Sequence, residues 1–564
     1  MSTESRRPII LAAILVLAAL LIVARLVQIQ GVEHDHWTTT AQAMQEQTIE
    51  VMPRRGTIYD HNGVPLAFDV KATAIAIDSY NMTRPESLVA ILSKALGRSA
   101  AELRGLIYRQ SYFTWIDRSV DLETAKRIRQ EASDSDANGL IFIDTWKRCY
   151  PQGSLASNLI GFVGTDGHGL EGIELGQNET LSGTPTTLRV LRGADGRTYE
   201  TQVLKEGTPG EDVYLTIDSR LQFVCEQEIS HGVTTYRANT GFIVLLDPNT
   251  GKVLAMAQDR RYDLNHFAQS TPQQRKNLAV SFMFEPGSTF KAFAGLDALY
   301  SGAVTPQSTF NGNDGIRIGG HTIHNSENES FGTVTFAKTI EYSINCAMVQ
   351  VAQRLGIPSL HNFLESLGFG KPTGIKLPGE EKGILRPARE WTPLDLAESA
   401  IGQSVGVTGI QLARAMAAVA NGGTVLEPRI IQGAGPSGAT AQPPVVIRRV
   451  ASPATCATMR GLMRLVVENG TAMAANIPGF DVAGKTGTAQ KAVAGQGYVP
   501  GKYTSLFCGF FPKDAPSYLA LVVLDEVKTT PVWGGATAGQ IFHDTATQLI
   551  NIAHVPPVAM TSVH

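Results

Sequence analysis

Apolar side chains run unbroken from Ile9 to Val23. Counted from Pro8 to Val27, the segment holds about 20 residues and one charge, Arg25, which is enough for a single helix to cross ~30 Å of hydrocarbon. Arg6 and Arg7 precede it, and Glu33 and Asp35 follow it. That asymmetry places the N-terminus in the cytoplasm and the rest of the chain outside. Arg25, near the far end, can snorkel to the headgroups. The side chains before any cleavage point are bulky and no A-x-A site follows, so the pattern reads as a retained anchor, not a removed signal. It is apolar all round, unlike the one-sided stripe of a helix packed on a soluble core.

Beyond a polar linker the period changes. Arg55–Asp60 and His61–Ala67 read as strand, Asn-Gly turn, strand. Thr73–Asp78 alternates as a further strand, residues 84–135 carry helical periodicity, and a Gly-rich stretch runs from Arg148 to Gly183. Strand-like segments continue to about residue 210. A second domain opens at Val213–Asp218. Its first helix runs from Ser219 to about Val233, capped by Asp218 or Ser219. Strands at 241–247 and 252–257 follow, then a mainly helical middle over 288–425, strands at 481–489, 504–511 and 517–525, and a last helix at 538–553. Strands at both ends of a helical middle predict an α+β fold, with one antiparallel sheet closed by both termini and helices packed on it.

Composition narrows the class. The chain has 564 residues, 43% hydrophobic and 18% charged, with a formal charge of −3. That length implies two to four domains. Neither the charge nor any basic stripe suits a nucleic-acid partner. Five cysteines, at 149, 225, 346, 456 and 508, form no CxxC pair. They read as buried free thiols, not a zinc or redox site, and no cofactor or metal is called for.

Three short stretches carry candidate chemistry. Pro286 and Gly287 break the chain just before Ser288, and an apolar helix pattern follows (Phe290, Phe293, Leu296, Leu299). Ser288 therefore starts a helix, where backbone N–H groups and the helix dipole favour developing negative charge. Lys291 lies one turn on along the same face. Buried and neutral, it can take the serine proton without any histidine. Ser343 and Asn345, in Glu341–Cys346, can face a common cleft from a loop, the hydroxyl to relay a proton and the amide to hold Lys291 and a substrate amide. Lys485, Thr486, Gly487 and Thr488 continue a strand. Gly484 and Gly487 leave room for a substrate backbone alongside, and Lys485 offers a cation to a carboxylate. The backbone amides of Ser288 and of a residue near Thr488 can form an oxyanion hole. Each stretch alone also reads as ordinary structure: an N-cap serine with a solvated lysine, two polar loop residues, a surface hairpin. Their order, with the second and third about 55 and 197 residues after Ser288, joins them into one site.

That set resembles the S-x-x-K, S-x-N and K-T-G motifs of penicillin-binding proteins, and the chain is similar to the class B, monofunctional members over nearly all its length. Arg55–Asp60 with Gly63 and Leu66-Ala67 resembles the family's first N-terminal motif. Arg148–Gly153 with Ala156 and Gly161 resembles the second, and Gly169–Glu174 with Leu181 and Gly183 the third. Leu215–Asp218, Gly402-Gln403, Ala420–Gly423 and Gly470–Ala472 resemble landmarks of the transpeptidase domain. The resemblance implies residues 1–30 as stub and anchor, 31–212 as a non-catalytic pedestal of the dimerisation type, 213–556 as a transpeptidase domain with the penicillin-binding fold, and 557–564 as a loose tail. It implies a peptidoglycan D,D-transpeptidase of the bacterial inner membrane. Ser288 would be acylated by the D-Ala-D-Ala end of a stem peptide, with Lys291 as base, Ser343 and Asn345 assisting, and Lys485, Thr486 and Thr488 holding the carboxylate. β-Lactams would acylate Ser288, and a membrane-embedded glycosyltransferase and division proteins would be partners. Two positions depart from the pattern: Ile344 stands where many relatives carry aspartate, and Ser157-Asn158 where a histidine is common.

Competing readings are a class A β-lactamase, which lacks the anchor and the N-terminal domain, a D,D-carboxypeptidase, a bifunctional enzyme with glycan polymerase, and a β-lactam sensor or scaffold, for which too few residues precede the arginines. The Lys485–Gln490 form and compact N-terminal domain resemble septal enzymes more than the rod-elongation paralogue.

Overall fold

The computed structural model describes residues 7–38, 46–192, 198–436, 438, 440, 442–493 and 497–558. The expectations placed on Arg6 and on the tail beyond residue 558 lie outside these residues. The apolar segment forms one helix, Arg7–Val27, followed by a short π-wound turn, Gln28–Val32. Its large side chains are exposed on every side, and over Ile9–Val32 it is long and apolar enough to cross a membrane.

The chain divides into two discontinuous units. One comprises residues 1–55, 69–147 and 182–210. It contains a three-stranded antiparallel sheet, Glu46–Val51, Thr186–Arg192 and Thr198–Lys205. It also contains a small α/β layer. Residues 72–77 pair with the strand Thr114–Asp121, and the helices Pro85–Leu96, Ala100–Ile107 and Leu122–Asp134 bury Leu88, Leu92, Leu103, Ile107 and Ile128 with Ile75, Ile77 and Ile116. Of the residues 84–135 that carry helical periodicity, most are helical, but that strand interrupts them. Ile116 and Val120 turn inward from a Thr/Trp/Ile/Val-rich run whose preference is for a pleated, half-buried surface.

The second unit comprises 56–68, 148–181 and 211–564. Two stretches drawn with the pedestal in the sequence reading, 56–68 and 148–181, lie in it. The three N-terminal motifs meet there. Arg148 donates from Nε to Glu174 at 2.7 Å and from Nη1 to the Gly56 carbonyl at 2.9 Å, and Tyr150 Oη donates to Glu174 at 3.3 Å. Arg148 and Glu174 are almost wholly buried. Losing one partner of such a pair strands a charge in the interior, at about 3–5 kcal/mol.

Around this lies the sheet that positions the site. Its strands are β1 (Thr240–Leu246), β2 (Val253–Gln258), β3 (Ala483–Val493), β4 (Gly497–Phe511) and β5 (Tyr518–Asp525), in the antiparallel order β2-β1-β5-β4-β3. β1 and β5 are buried along their whole length apart from Tyr518, as continuous Val/Leu/Ile/Phe runs require when helices cover both faces. Helices α1 (Ser219–Thr235, N-capped by the Asp218 carboxylate) and α5 (Ala538–Ala553) pack against each other on the sheet. The middle holds α2 (Lys291–Tyr300), α3 (Phe336–Glu341) and α4 (Asn345–Ser366), with short hairpins between them. β3, at the sheet's edge, carries the third motif.

The five cysteines are free, and all but the half-buried Cys149 are buried. Cys508, on β4, is wholly enclosed, and burial pushes its thiol far above the usual range.

Candidate active site

Ser288 sits in a 3-10 turn, Gly287–Phe290, that leads directly into α2. Two glycines allow the turn to be where it is. Gly287 has φ +53° and Gly402 has φ +82°, values that cost an L side chain free energy but not glycine. A Cβ on Gly402 would lie 1.9 Å from the Gly287 oxygen, and the Gly287 N–H donates to the Gly402 carbonyl at 3.0 Å. On its other side the turn meets β3: a Cβ on Gly287 would lie 3.0 Å from the Thr488 oxygen and 3.4 Å from its nitrogen. The Ser288 turn is thus pinned between the 402–407 segment and the edge strand, which brings the Ser288 and Thr488 backbones to one place. Among the described residues no hydrogen bond engages the half-buried Ser288 hydroxyl.

Phe290 and Phe293 anchor α2 in the core, and Lys291, the next residue of the turn, is fully buried with them. Its Nζ donates to Asn345 Oδ1 at 2.6 Å, to the Ser343 carbonyl, and reaches Ser343 Oγ at 3.2 Å. Ser343 occupies the left-handed region, φ +59°, between α3 and α4, which turns its carbonyl and hydroxyl toward one point. Asn345 opens α4, and its Nδ2 donates to the His324 carbonyl at 2.7 Å, which fixes which end of the amide faces Lys291.

Lys485 is also fully buried. The sequence reading treated it as a cleft cation; the structure encloses it and ends it on Ser343 Oγ, at 2.9 Å. Both amines therefore converge on one hydroxyl. Burial, and then the neighbouring Lys485 charge, hold Lys291 well below the ordinary lysine range. Burial lowers Lys485 to about 7. Two ammonium groups sharing one dry site repel, so a proton on one amine disfavours a proton on the other.

Counting donors shows what a neutral Lys291 does. An uncharged amine has two N–H donors and one lone pair. The Ser343 carbonyl and Asn345 Oδ1 take the two donors. The lone pair is left to accept a proton from a hydroxyl.

Successive side chains of β3 alternate, but the long Lys485 side chain brings its Nζ to 3.4 Å from Thr486 Oγ1, so amine and hydroxyl share one end of the cleft. Thr486 Oγ1 pairs with Thr471 Oγ1 at 2.9 Å, and Thr488 Oγ1 accepts from the Gly534 N–H at 3.0 Å. The glycines serve the protein's own packing more than the sequence reading expected: Gly484 makes room for the Phe507 ring and Gly487 for the Pro286 carbonyl, 2.5 Å from where its Cβ would be. Thr471 was not singled out from sequence for the site, although its Gly470–Ala472 stretch was noted. Nothing local signals its link to Thr486, which only the fold creates.

Residues 241–547 match the family described as the penicillin-binding protein transpeptidase domain, and residues 50–215 the penicillin-binding protein dimerisation domain. PbpC, a probable peptidoglycan D,D-transpeptidase of Pseudomonas aeruginosa, is 31% identical over 564 residues, covering 99% of this chain and 97% of that protein. Stage V sporulation protein D of Bacillus subtilis is 30% identical, over 93% of this chain and 83% of its own. The crystal structure of penicillin-binding protein 3 from Mycobacterium tuberculosis, complexed with aztreonam, is similar at TM-score 0.70 and 29% identity, over 90% of this chain and 98% of that one. The chain belongs to the class B penicillin-binding proteins, serine-type acyltransferases that act as peptidoglycan D,D-transpeptidases.

Proposed function

We propose that this protein crosslinks stem peptides through an acyl-Ser288 intermediate, in septal wall synthesis, from the outer face of the cytoplasmic membrane. The observation that carries the chemistry is the meeting of two buried amines, Lys291 and Lys485, at the Ser343 hydroxyl. Ser288 Oγ attacks the penultimate D-Ala carbonyl and its proton passes to Lys291 Nζ. The Ser288 and Thr488 N–H groups stabilise the oxyanion. As the C–N bond breaks, the departing D-Ala amine takes a proton through Ser343, and Asn345 holds Lys291 and the substrate amide. An amine from a second stem then attacks the acyl-serine and releases Ser288. Lys485, with Thr486, Gly487 and Thr488, faces the terminal carboxylate. β-Lactams present the same carbonyl and carboxylate and acylate Ser288, a reading supported by the aztreonam complex of the mycobacterial relative. The helix Arg7–Val27 holds the enzyme in the membrane with its N-terminus inside, beside a membrane-embedded glycosyltransferase and division proteins.

Purified protein given glycan strands with pentapeptide stems is expected to yield crosslinked dimers. Trimmed tetrapeptides alone would assign it to the carboxypeptidases. A fluorescent fusion is expected at midcell, and lateral patches would move it to elongation.

Lys485→Met tests the carboxylate role. Lys485 is charged below about pH 7 in the free enzyme, so the efficiency of capturing an anionic ligand falls as pH rises through that value. The free-enzyme profile of kcat/KM reports such a group. The variant is expected to lose about 10- to 100-fold in that efficiency near pH 6, as removal of a charge-assisted contact does, and to lose the falling limb. A variant that keeps the limb would separate Lys485 from carboxylate capture.

A further inference from the structure

Glu285, three residues before Ser288, is used by no step above, yet it is one of the most heavily engaged carboxylates near the cleft. Its Oε1 accepts the Ser404 N–H at 3.0 Å, and both carboxylate oxygens lie 3.1 Å from Tyr498 Oη. Tyr498 stands on β4, the strand paired to β3, and its ring is 41% exposed. Ser404 adopts φ +59°, and its hydroxyl donates to Glu398. It belongs to the segment whose Gly402 presses on Gly287 and whose Val407 exchanges backbone hydrogen bonds with Phe284 at 2.9–3.0 Å. A second link runs parallel: Lys491, on β3, lies 5.8 Å over the Phe282 ring while its amine is held by Asp525 and Glu526.

We propose that Glu285 is a positioning residue for acylation: its carboxylate clasps together the turn that carries Ser288, the 402–407 segment and Tyr498 of the β3–β4 hairpin, and so sets the separation between Ser288 and the Thr488 backbone. The inference rests on the acyl-Ser288 reading. Its logic is geometric. The nucleophile and the second oxyanion donor lie on different stretches of chain, and among the described residues no strand-ladder bond joins them. Glu285 bonds to both sides of that gap at the cleft's rim, while Ser343 joins Lys291 to Lys485 deeper in. Among the described residues it makes no ion pair. Burial, with the Glu398 charge beside it, raises its pKa, and the Ser404 N–H and Tyr498 hydroxyl oppose that rise. Substrate binding needs the cleft only to be open. Bond formation needs the attacking oxygen and the oxyanion donors placed to within a fraction of an ångström, so loosening the clasp should cost the chemical step more than the encounter.

The test is fluorescent-penicillin acylation with the full chain, separating the half-saturating concentration from the limiting acylation rate, alongside melting temperature. Tyr498→Phe keeps the ring and removes only the hydroxyl. It is expected to lower the limiting rate about tenfold, with half-saturation within about twofold and melting unchanged. Glu285→Ala should lower the rate about 100-fold, and Glu285→Gln, which keeps an acceptor for Ser404 N–H and Tyr498 Oη, should restore most of it. A Tyr498→Phe limiting rate equal to wild type overturns the clasp, as does a loss confined to half-saturation, or a Glu285→Gln variant no better than Ala. Ser288→Ala in the same assay separates the two claims: labelling that survives it overturns the acyl-Ser288 reading, whereas its loss beside an unaffected Tyr498→Phe overturns the clasp alone.

Discussion

Alanine at Ser288 is expected to abolish covalent labelling by a fluorescent penicillin, a fall of at least ~10³-fold in acylation rate, while the protein melts as wild type. The two halves of that expectation have separate causes. The hydroxyl is the only atom group removed, and it makes no hydrogen bond among the described residues and is half-buried. A change of this kind away from packed or networked positions costs within about 0.5 kcal/mol. The turn itself is held by Gly287, Gly402 and the buried Phe290, none of which the substitution touches. Chemistry disappears because the Ser288 hydroxyl, three residues before Lys291 at the start of α2, is lost, while the other hydroxyl at the Lys291 amine, Ser343, is engaged by both lysines. Labelling that persists would point to a different nucleophile, and a collapse in melting temperature would make the hydroxyl structural.

Lys291→Met is expected to lower acylation by about 10²- to 10⁴-fold, the range a positioned general base supplies. Its effect on stability has a sign that depends on pH. The folded-state pKa lies well below the ordinary value because burial and Lys485 penalise the charged amine. Between the folded pKa and the unfolded value near ~10.4, the unfolded chain binds the extra proton, so wild-type stability rises with pH across that window. The same direction holds for Lys485, over the interval from about 7 upward. Methionine at 291 cannot protonate, so the variant should show a shallower rise in melting temperature from pH 7 to 9. It also leaves Asn345 Oδ1 and the Ser343 carbonyl without that donor, which costs about 1–3 kcal/mol at a buried group. Acylation near the wild-type rate in this variant would remove Lys291 from the role of base.

Much of the catalytic unit was legible in the chain. The strands at 241–247, 252–257 and 517–525 appear within a residue or two of their predicted positions, the strand at 504–511 ends where expected but begins seven residues earlier at Gly497, and the capped helix at 219 and the last helix at 538 begin where expected. These elements carry long apolar runs or clear caps, so local pattern and tertiary burial agree. Less was legible where they do not agree. The strand Thr114–Asp121 was hidden in a helical phase because its alternation is short and bulged in its pairing. Nor does local pattern show that Gly56, Arg148 and Glu174, far apart in sequence, share one buried ion pair.

Residue types and spacing alone determined the long apolar N-terminal helix, the α+β order of elements and the three stretches proposed to form the site, because each rests on local periodicity or on a run of a few neighbouring residues. Tertiary structure alone decided that Lys485 is enclosed, that both amines meet at one hydroxyl, that Thr471 lies beside Thr486, and that Glu285 reaches Tyr498. Burial and long-range hydrogen bonds are properties of folded chains, and a lysine's affinity for its proton is set by the water it has lost, which no linear pattern records.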